Sequence, residues 1–272
     1  MKTIAFSIVI IASFTHFALG HGSSEKPKPG DPREISFPDT ANYLTLVLDP
    51  HTHSVFSDGH VWPRIRVGEA LRDGLDAYAV TEHLEYQPHL ADIPHPDRNQ
   101  SFREATAAAK GSDLIVIPGA EITRDFPAGH MNAIFISDAN KLLKIPAGVT
   151  DVNEFRNKAK EWPSQKAVEA ANDQGAFVFW NHAYWTRDFP TGIPEMPDFH
   201  LNNIKAGLLH GIEVANGDNY SENTFQMALD HNLTLIGVSD VHQLIDWDYE
   251  PYKGGHRPVT LVFAKERTAE SM

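Results

Sequence analysis

Three histidines and two aspartates lie within the thirteen residues LDPHTHSVFSDGH, at positions 48–60. His51 and His53 are two residues apart and directly follow the apolar run YLTLVLD. In an extended chain, residues two apart point to the same side. Imidazole nitrogens presented together in this way can coordinate a divalent metal ion. The stretch therefore indicates metal chemistry at the end of a buried strand.

The same residue types recur where later apolar runs end. They are His83 after DAYAVTE, Glu121 in LIVIPGAEI, His182 at the end of AFVFWNH, and Asp240 with His242 after LTLIGV. Because the carboxyl ends of the strands in a parallel barrel open on one face, we expect these side chains to converge on a single cavity. Zn, Mn and Fe all accept imidazole and carboxylate ligands, so no thiolate is needed.

Apolar runs bounded by turn residues predict the elements that position this site. Helical patterns between the runs begin at Pro63, at Pro163 and after Ser221, which is a predicted N-cap. Strands alternating with helices predict a parallel α/β barrel of about seven strands in one domain, with the metal site at the carboxyl ends of the strands. The runs span 43–49, 76–83, 114–122, 132–137, 176–182, 211–217, 233–240 and 258–264.

The beginning of the chain is typical of an exported protein. Lys2 precedes an apolar run, and Ala18-Leu19-Gly20 has the small-x-small form that signal peptidases cleave. We therefore predict a signal peptide over 1–20, a linker over 21–38 and a hydrolase domain over 39–272. The expected location is secreted or periplasmic, without stable membrane insertion after cleavage. An uncleaved anchor is the alternative, although the run is short for a membrane span.

Charge and composition restrict the partners. The formal net charge is −13 and no basic patch is apparent in the sequence, which argues against long nucleic acid or an anionic membrane surface. The sequence contains neither a P-loop nor a G-x-G-x-x-G motif. It also contains no cysteine, so an exported form would be stabilised by its core and by metals rather than by disulfides. We expect a small-molecule substrate.

Taken in order, the motifs resemble the polymerase and histidinol phosphatase (PHP) domain family. They are LDPHTHSVFSDG, GLDAYAVTEH, PGAEI, His130, WNH and GVSDVH, and the resemblance covers residues 43–264. It implies a distorted (β/α)7 barrel that holds up to three metals and cleaves phosphoesters. Two positions depart from the family pattern, because Pro50 stands between Asp49 and His51, and Glu82 precedes His83. We expect Glu82 to orient a ligand histidine.

The resemblance also implies a set of ligands for two to three divalent ions, Zn, Mn or Fe. Glu121 is expected to bridge the first two ions, and Glu121 and Asp240 are the predicted catalytic residues. The implied ligands are His51, His53, Glu121 and Asp240 for the first ion, Glu121, His130 and His182 for the second, and Asp58, His83 and His242 for the third. Asp58 can instead simply cap the turn SDG.

The expected substrate is a small phosphomonoester or phosphodiester, hydrolysed by a metal-activated water. Arg124 and Arg187 are predicted to bind its phosphate, although an arginine on a loop is often only a solvated charge. Three divalent ions would outweigh the carboxylates of the site and hold an anion despite the acidic exterior. Two alternatives stay open: a metal-dependent hydrolase of an amide or lactone, and a non-catalytic metal-binding module.

Overall fold

The computed structural model describes residues 32–33, 35–94, 96–144, 148–185, 189 and 191–272. The predicted signal peptide and most of the predicted linker lie outside the described residues. Within the described part of the chain, no helix is both long and apolar enough to cross a bilayer.

The described strands form one curled sheet. Its order is β7-β6-β5-β4-β3-β2-β1-β9, and β8 pairs with β6. All eight predicted runs overlap a strand, and the two-residue β7 was not predicted. The strands are β1 Leu44–Asp49, β2 Ala77–Val80, β3 Ile115–Thr123, β4 His130–Ile134, β5 Phe177–Trp180, β6 Gly211–Asn216, β7 Asn219–Tyr220, β8 Thr234–Val238 and β9 Thr260–Ala264.

Helices connect the strands. Three of them were predicted, namely those that begin at Pro63, Ser164 and Glu222, and the Ser221 hydroxyl accepts a hydrogen bond from the Thr224 amide as an N-cap does. The α-helices are α1 Pro63–Arg72, α2 Gln100–Ala109, α3 Val152–Glu161, α4 Ser164–Asn172, α5 Asp198–Lys205, α6 Glu222–His231 and α7 Ile245–Asp248.

The prediction of an all-parallel sheet is wrong at two strands. β4 runs antiparallel to β3 and β5, and β9 runs antiparallel to β1. Only residues 124–129 connect β3 to β4, which is too short for a parallel crossover. Thr52 pairs in parallel with Val241, which brings the carboxyl ends of β1 and β8 together. The result is an α/β fold whose curled sheet is consistent with a TIM-like barrel.

Side chains from the two faces of the sheet form separate parts of the core. Val47 and Tyr78 pack outward against α1 and α2, whereas the next residue, Leu48, packs inward, as strand alternation requires. The inward cluster contains side chains from six strands, and their apolar contacts hold the curled sheet together on its inner face. Its buried members are Leu48, Ala77, Ala79, Ile117, Ile134, Phe179, Ile236 and Val238.

A buried ion network fixes the ends of β1 and β8 relative to each other. Arg257 donates to Asp49 over 3.0 Å and to Asp73, the C-cap of α1, over 2.7 Å. Asp49 also accepts hydrogen bonds from the backbone amide and the hydroxyl of Ser239, over 3.1 and 2.6 Å. These charges are paired and hydrogen-bonded, as buried charges must be. Asp49 therefore ties the residues just before His51 to those just before Asp240.

Candidate metal centre

Three overlapping groups of His, Asp and Glu side chains lie at the carboxyl ends of the strands. In each group the potential ligand atoms are within 4.8 Å of one another. His53 and His83 each belong to two groups, so the three form one continuous cluster. The groups are His51, His53 and Asp240; His53, Asp58, His83 and His242; and His83, Glu121 and His130.

Four ligand atoms converge on one point at the first group, three from its own members and one from Glu121 of the third group. The Nε2 atoms of His51 and His53 are 3.0 Å apart. Asp240 Oδ1 lies 3.2 Å from the first nitrogen and 3.1 Å from the second. Glu121 Oε2 lies 3.2 and 3.3 Å from the same two atoms. Two imidazoles and two carboxylates facing one point are a suitable ligand set for a divalent metal.

Glu121 presents its two oxygens to different histidines. Oε2 faces the first group and also lies 3.0 Å from His83 Nδ1. Oε1 lies 2.6 Å from His130 Nδ1 and 3.9 Å from His182 Nε2. His130 reaches this position because β4 starts beside the last residue of β3, Thr123. Glu121 is therefore placed as a bridging carboxylate would be, and His182 lies beside it but outside the three groups.

Asp58 faces imidazoles rather than only closing its turn. Its Oδ1 lies 3.1 Å from His242 Nε2, 3.4 Å from His83 Nε2 and 3.9 Å from His53 Nδ1. The turn folds tightly because Gly59 follows, where an added Cβ would lie 2.7 Å from the backbone of His53. The geometry thus brings together all three members of the third predicted site and, beside them, His53 of the first.

A carboxylate that sequence reasoning missed holds the first histidine. Glu213 Oε1 lies 2.6 Å from His51 Nδ1, and its Oε2 accepts from the His182 amide over 2.6 Å and from Asn216 Nδ2 over 2.9 Å. This contact places a proton on His51 Nδ1 and leaves Nε2 free to coordinate. The available signal was a charged residue in the middle of the apolar run GIEVANG.

Glu82 supports a candidate ligand only indirectly. We expected it to contact a histidine, but it accepts hydrogen bonds from the Ser54 amide over 3.0 Å and from the hydroxyls of Ser57 and Ser101 over 2.6 Å each. The Ser57 hydroxyl in turn lies 3.3 Å from His53 Nδ1. Glu82 therefore acts on His53 through Ser57.

The electrostatics of the cluster call for cations. Burial alone would raise the pKa of the Glu121 carboxyl, but His83, His130 and His51 hold it well below its usual range. Burial alone would lower the pKa of His51, but Asp240, Glu213 and Glu121 raise it well above its usual value. These buried carboxylates thus need positive charge, and bound divalent ions supply it in place of protons.

Buried polar atoms in the cluster support the same conclusion. Among the described residues, Glu121 Oε1, His130 Nδ1 and Asp58 Oδ1 are buried and have imidazole or carboxylate atoms within ion-pair distance, but none of them makes a hydrogen bond of good geometry. Atoms of this kind are expected where a metal ion satisfies them. The residues present therefore fit a divalent metal cluster.

The structure describes one of the two arginines that were predicted to bind phosphate. Arg187 lies outside the described residues. Arg124 is buried, where its Nη2 lies 2.9 Å from Glu85 Oε1 and its Nη1 donates to the Ala159 carbonyl over 2.7 Å. These contacts occupy much of the guanidinium, although it also lines a cavity beside His130. Phosphate binding by Arg124 stays a prediction.

No protein-family model matches the chain, and no curated protein matches it. Solved structures do. A two-domain protein from Bacteroides vulgatus, containing a predicted PHP-like metal-dependent phosphoesterase, is 44% identical with a TM-score of 0.79, covering 88% of this chain and 64% of that one. A proposed metal-dependent phosphoesterase from Bifidobacterium adolescentis is 21% identical with a TM-score of 0.52, covering 72% and 88%. An amidohydrolase from Chromobacterium violaceum is 17% identical with a TM-score of 0.47, covering 72% and 87%.

The similarity to the Bacteroides vulgatus protein bears on the family of this chain. The resemblance to the PHP family that the motifs indicated is confirmed, and the chain is PHP-like over most of its length. Together with the His, Asp and Glu cluster, this supports divalent metal binding by the chain. The chain spans just under two thirds of the Bacteroides vulgatus protein, at 64% of its length.

Proposed function

We propose that this protein is an exported phosphoesterase that hydrolyses phosphomonoesters or phosphodiesters of small molecules with two or three divalent ions, Zn, Mn or Fe. The continuous cluster of three ligand groups carries the proposal, because the groups share His53 and His83 and therefore lie side by side, as neighbouring ions require. When bound, such ions supply an activated water and neutralise charge on the phosphate. We also propose that the chain folds as one distorted (β/α)7 barrel domain.

The two predicted catalytic carboxylates have different surroundings. Glu121 is fully buried and has histidines beside both oxygens, so we assign it to metal binding. The Asp240 side chain is 17% exposed, and Asn216 donates to its Oδ2 over 3.0 Å. Burial alone would raise the pKa of Asp240, but His51 and the other nearby histidines lower this pKa by more than burial raises it. Asp240 is therefore ionised at neutral pH. Its partial exposure therefore makes Asp240 the better placed of the two carboxylates to contact the attacking water.

Basic groups near the cluster support an anionic substrate. Arg124, Arg156 and Lys160 line the cavity that also contacts His130 and His182. The net charge of −13 opposes this only weakly, because salt screens exposed charges beyond roughly 8–10 Å. Lys160 is paired with Asp125 and Arg124 with Glu85, so Arg156 is the cation of this cavity that an anion can use. A neutral amide or lactone would make no use of it, so we favour a phosphoester.

The test combines elemental analysis with a panel of phosphomonoesters, phosphodiesters, amides and lactones. Purified protein should contain two to three equivalents of metal and should hydrolyse phosphoesters. Chelation should abolish turnover and lower the Tm, because metals bound only to the folded state stabilise it. Adding metal back is the control. Turnover of lactones or amides alone would favour the alternative hydrolase, and full activity in metal-free protein would overturn both.

Export is tested separately. The signal peptide prediction places cleavage after Gly20, so the mature chain would begin at His21. Intact-mass measurement on protein from the periplasm or medium should give this N-terminus. Soluble mature protein that retains Met1 would contradict export.

A further inference from the structure

A cavity of about 130 Å³ adjoins the side of the metal centre formed by His130 and His182. Four Phe and Trp side chains line it, Phe126, Trp180, Trp185 and Phe189. A cavity of about 150 Å³ is known to accept benzene, so this volume matches one six-membered ring. The dimensions therefore suit a single planar ring placed beside the metals.

The aromatic side chains are arranged to receive such a ring. Trp185 stacks on His182 with ring centroids 3.6 Å apart and an interplanar angle of 16°. Phe126 and Phe189 meet edge to face, at 5.5 Å and 80°. The Phe126 ring is also 48% exposed, so apolar surface remains for a ligand to cover. A further ring bound here could add offset or edge-to-face contacts, which aromatic groups prefer.

The charges at this cavity favour an anionic ligand. Lys160 is paired with both carboxylate oxygens of Asp125, at 2.7 and 2.8 Å, and Arg124 is paired with Glu85. Arg156 is exposed, and its guanidinium lies 5.3 Å from the centre of the Tyr86 ring. Of the carboxylates in the described ranges, none lies within ion-pair distance of Arg156. One uncompensated positive charge therefore borders the cavity.

Resting on the phosphoesterase function proposed above, we propose that this cavity binds a planar aromatic group of the substrate and makes the protein selective for aromatic over aliphatic phosphoesters. The ring occupies the space between Phe126, Phe189 and Trp185, while its phosphate lies at the metals. Aromatic contacts of this kind correspond to roughly a 2- to 10-fold preference over a saturated ring of similar size.

The test compares benzyl with cyclohexylmethyl compounds, which share the same type of leaving alcohol. Calorimetry with zinc-loaded protein should show benzylphosphonate binding roughly 2- to 10-fold more tightly than cyclohexylmethylphosphonate. Hydrolysis of the two corresponding phosphate esters should show the same preference. Phe126→Leu should abolish the preference and Phe126→Tyr should keep it. Phe263→Leu, at an exposed phenylalanine in β9, is the matched control and should leave it unchanged.

The binding and hydrolysis measurements separate the two proposals. A ring preference in binding, lost in Phe126→Leu, without hydrolysis of either ester would support the aromatic cavity and contradict the phosphoesterase. Equal affinity of the wild type for the two phosphonates, or no binding of either, would overturn the aromatic cavity. A preference that persists in Phe126→Leu would also overturn it. The Tm of each variant verifies that a lost preference does not come from unfolding.

Discussion

Nδ1 of His51 lies 2.6 Å from Oε1 of Glu213, so a strand residue holds the first candidate ligand in place. The contact joins the middle of β6 to the segment that follows β1, across the mouth of the curled sheet. Because Nδ1 is engaged, His51 Nε2 faces Asp240 and Glu121. Glu213 thus orients the ligand and increases its basicity without belonging to any of the three groups.

Glu213→Gln should weaken metal binding. The amide can still accept a hydrogen bond from His51, but the negative charge that makes the imidazole a stronger ligand is lost. We expect a fall in metal affinity of about 10- to 100-fold, measured by competition with a chromogenic chelator. Glu169→Gln, which removes a carboxylate paired with Lys166 on an exposed helix face, is the matched control. Equal affinity in the wild type and Glu213→Gln would show that the contact has no such role.

Glu121→Ala should remove more metal than His130→Ala. The first change deletes oxygens that face two sets of histidines and takes away one negative charge between neighbouring cations. The second deletes a ligand of one group only. We expect a loss of more than one metal equivalent for Glu121→Ala and of at most one for His130→Ala, measured by elemental analysis. A fully metallated and active Glu121→Ala protein would place the site elsewhere.

Arg124→Ala should chiefly lower stability. Burial raises the pKa of Glu85 to about 7 despite the neighbouring Arg124, and without this partner the carboxyl would be left unpaired in the interior. Breaking a buried pair costs about 3–5 kcal/mol, and we expect about 3 because Glu85 can take up a proton. Denaturant unfolding measures this change. Arg156→Gln is the matched change at an exposed arginine of the same cavity. It should preserve stability and metal content while raising KM for a phosphoester.

An Arg124→Ala protein of wild-type stability, with a raised KM, would instead support direct phosphate binding by Arg124. An unchanged KM in Arg156→Gln would remove Arg156 from substrate binding. The two variants together therefore distinguish a structural arginine from a substrate-binding one.

His200→Phe should make the protein less sensitive to acid. His200 is buried against Trp180, and burial lowers its pKa to about 3 against an opposing contribution from the Ala128 backbone. Between pH 6.5 and about 3, His200 is protonated in the unfolded chain but stays neutral in the folded protein. The free energy of unfolding therefore falls as the pH falls. The stability of His200→Phe relative to the wild type should therefore rise by about 1.4 kcal/mol per pH unit below pH 6.5. Urea unfolding at several pH values measures this difference, and parallel profiles for the two proteins would contradict it.

The sequence predicted the strands well but their directions less well. Strand alternation and parallel packing put the side chains that end or follow the first and seventh predicted runs on one face, so these residues could be placed from the sequence. They are His51, His53, Asp240 and His242. His130 could not be placed in this way, because it opens β4 instead of ending a strand. The six-residue connection from Thr123 to His130 was the missed signal, since so short a link implies a hairpin.

Contacts between segments that are distant in the chain could not be predicted from the sequence. The partnership of His51 with Glu213 depends on the curl of the sheet, and no local pattern reports it. The departure from the family pattern at Glu82, directly before His83, suggested a direct contact with a histidine. The longer side chain instead reaches the hydroxyls of Ser57 and Ser101. The contacts of Glu82 depend on its side-chain length and on where the fold places the two hydroxyl groups, and this placement is known only from the structure.

The pairing of β1 with β9 has a consequence for how the chain reaches its native state. Leu48 pairs with Thr260, so the first strand stays without this neighbour until nearly all of the domain has been synthesised. Arg257, which neutralises Asp49, arrives equally late. Closing so large a loop is slow compared with forming local helices. The sheet of a nascent chain therefore stays open beside β1 until β9 has been synthesised.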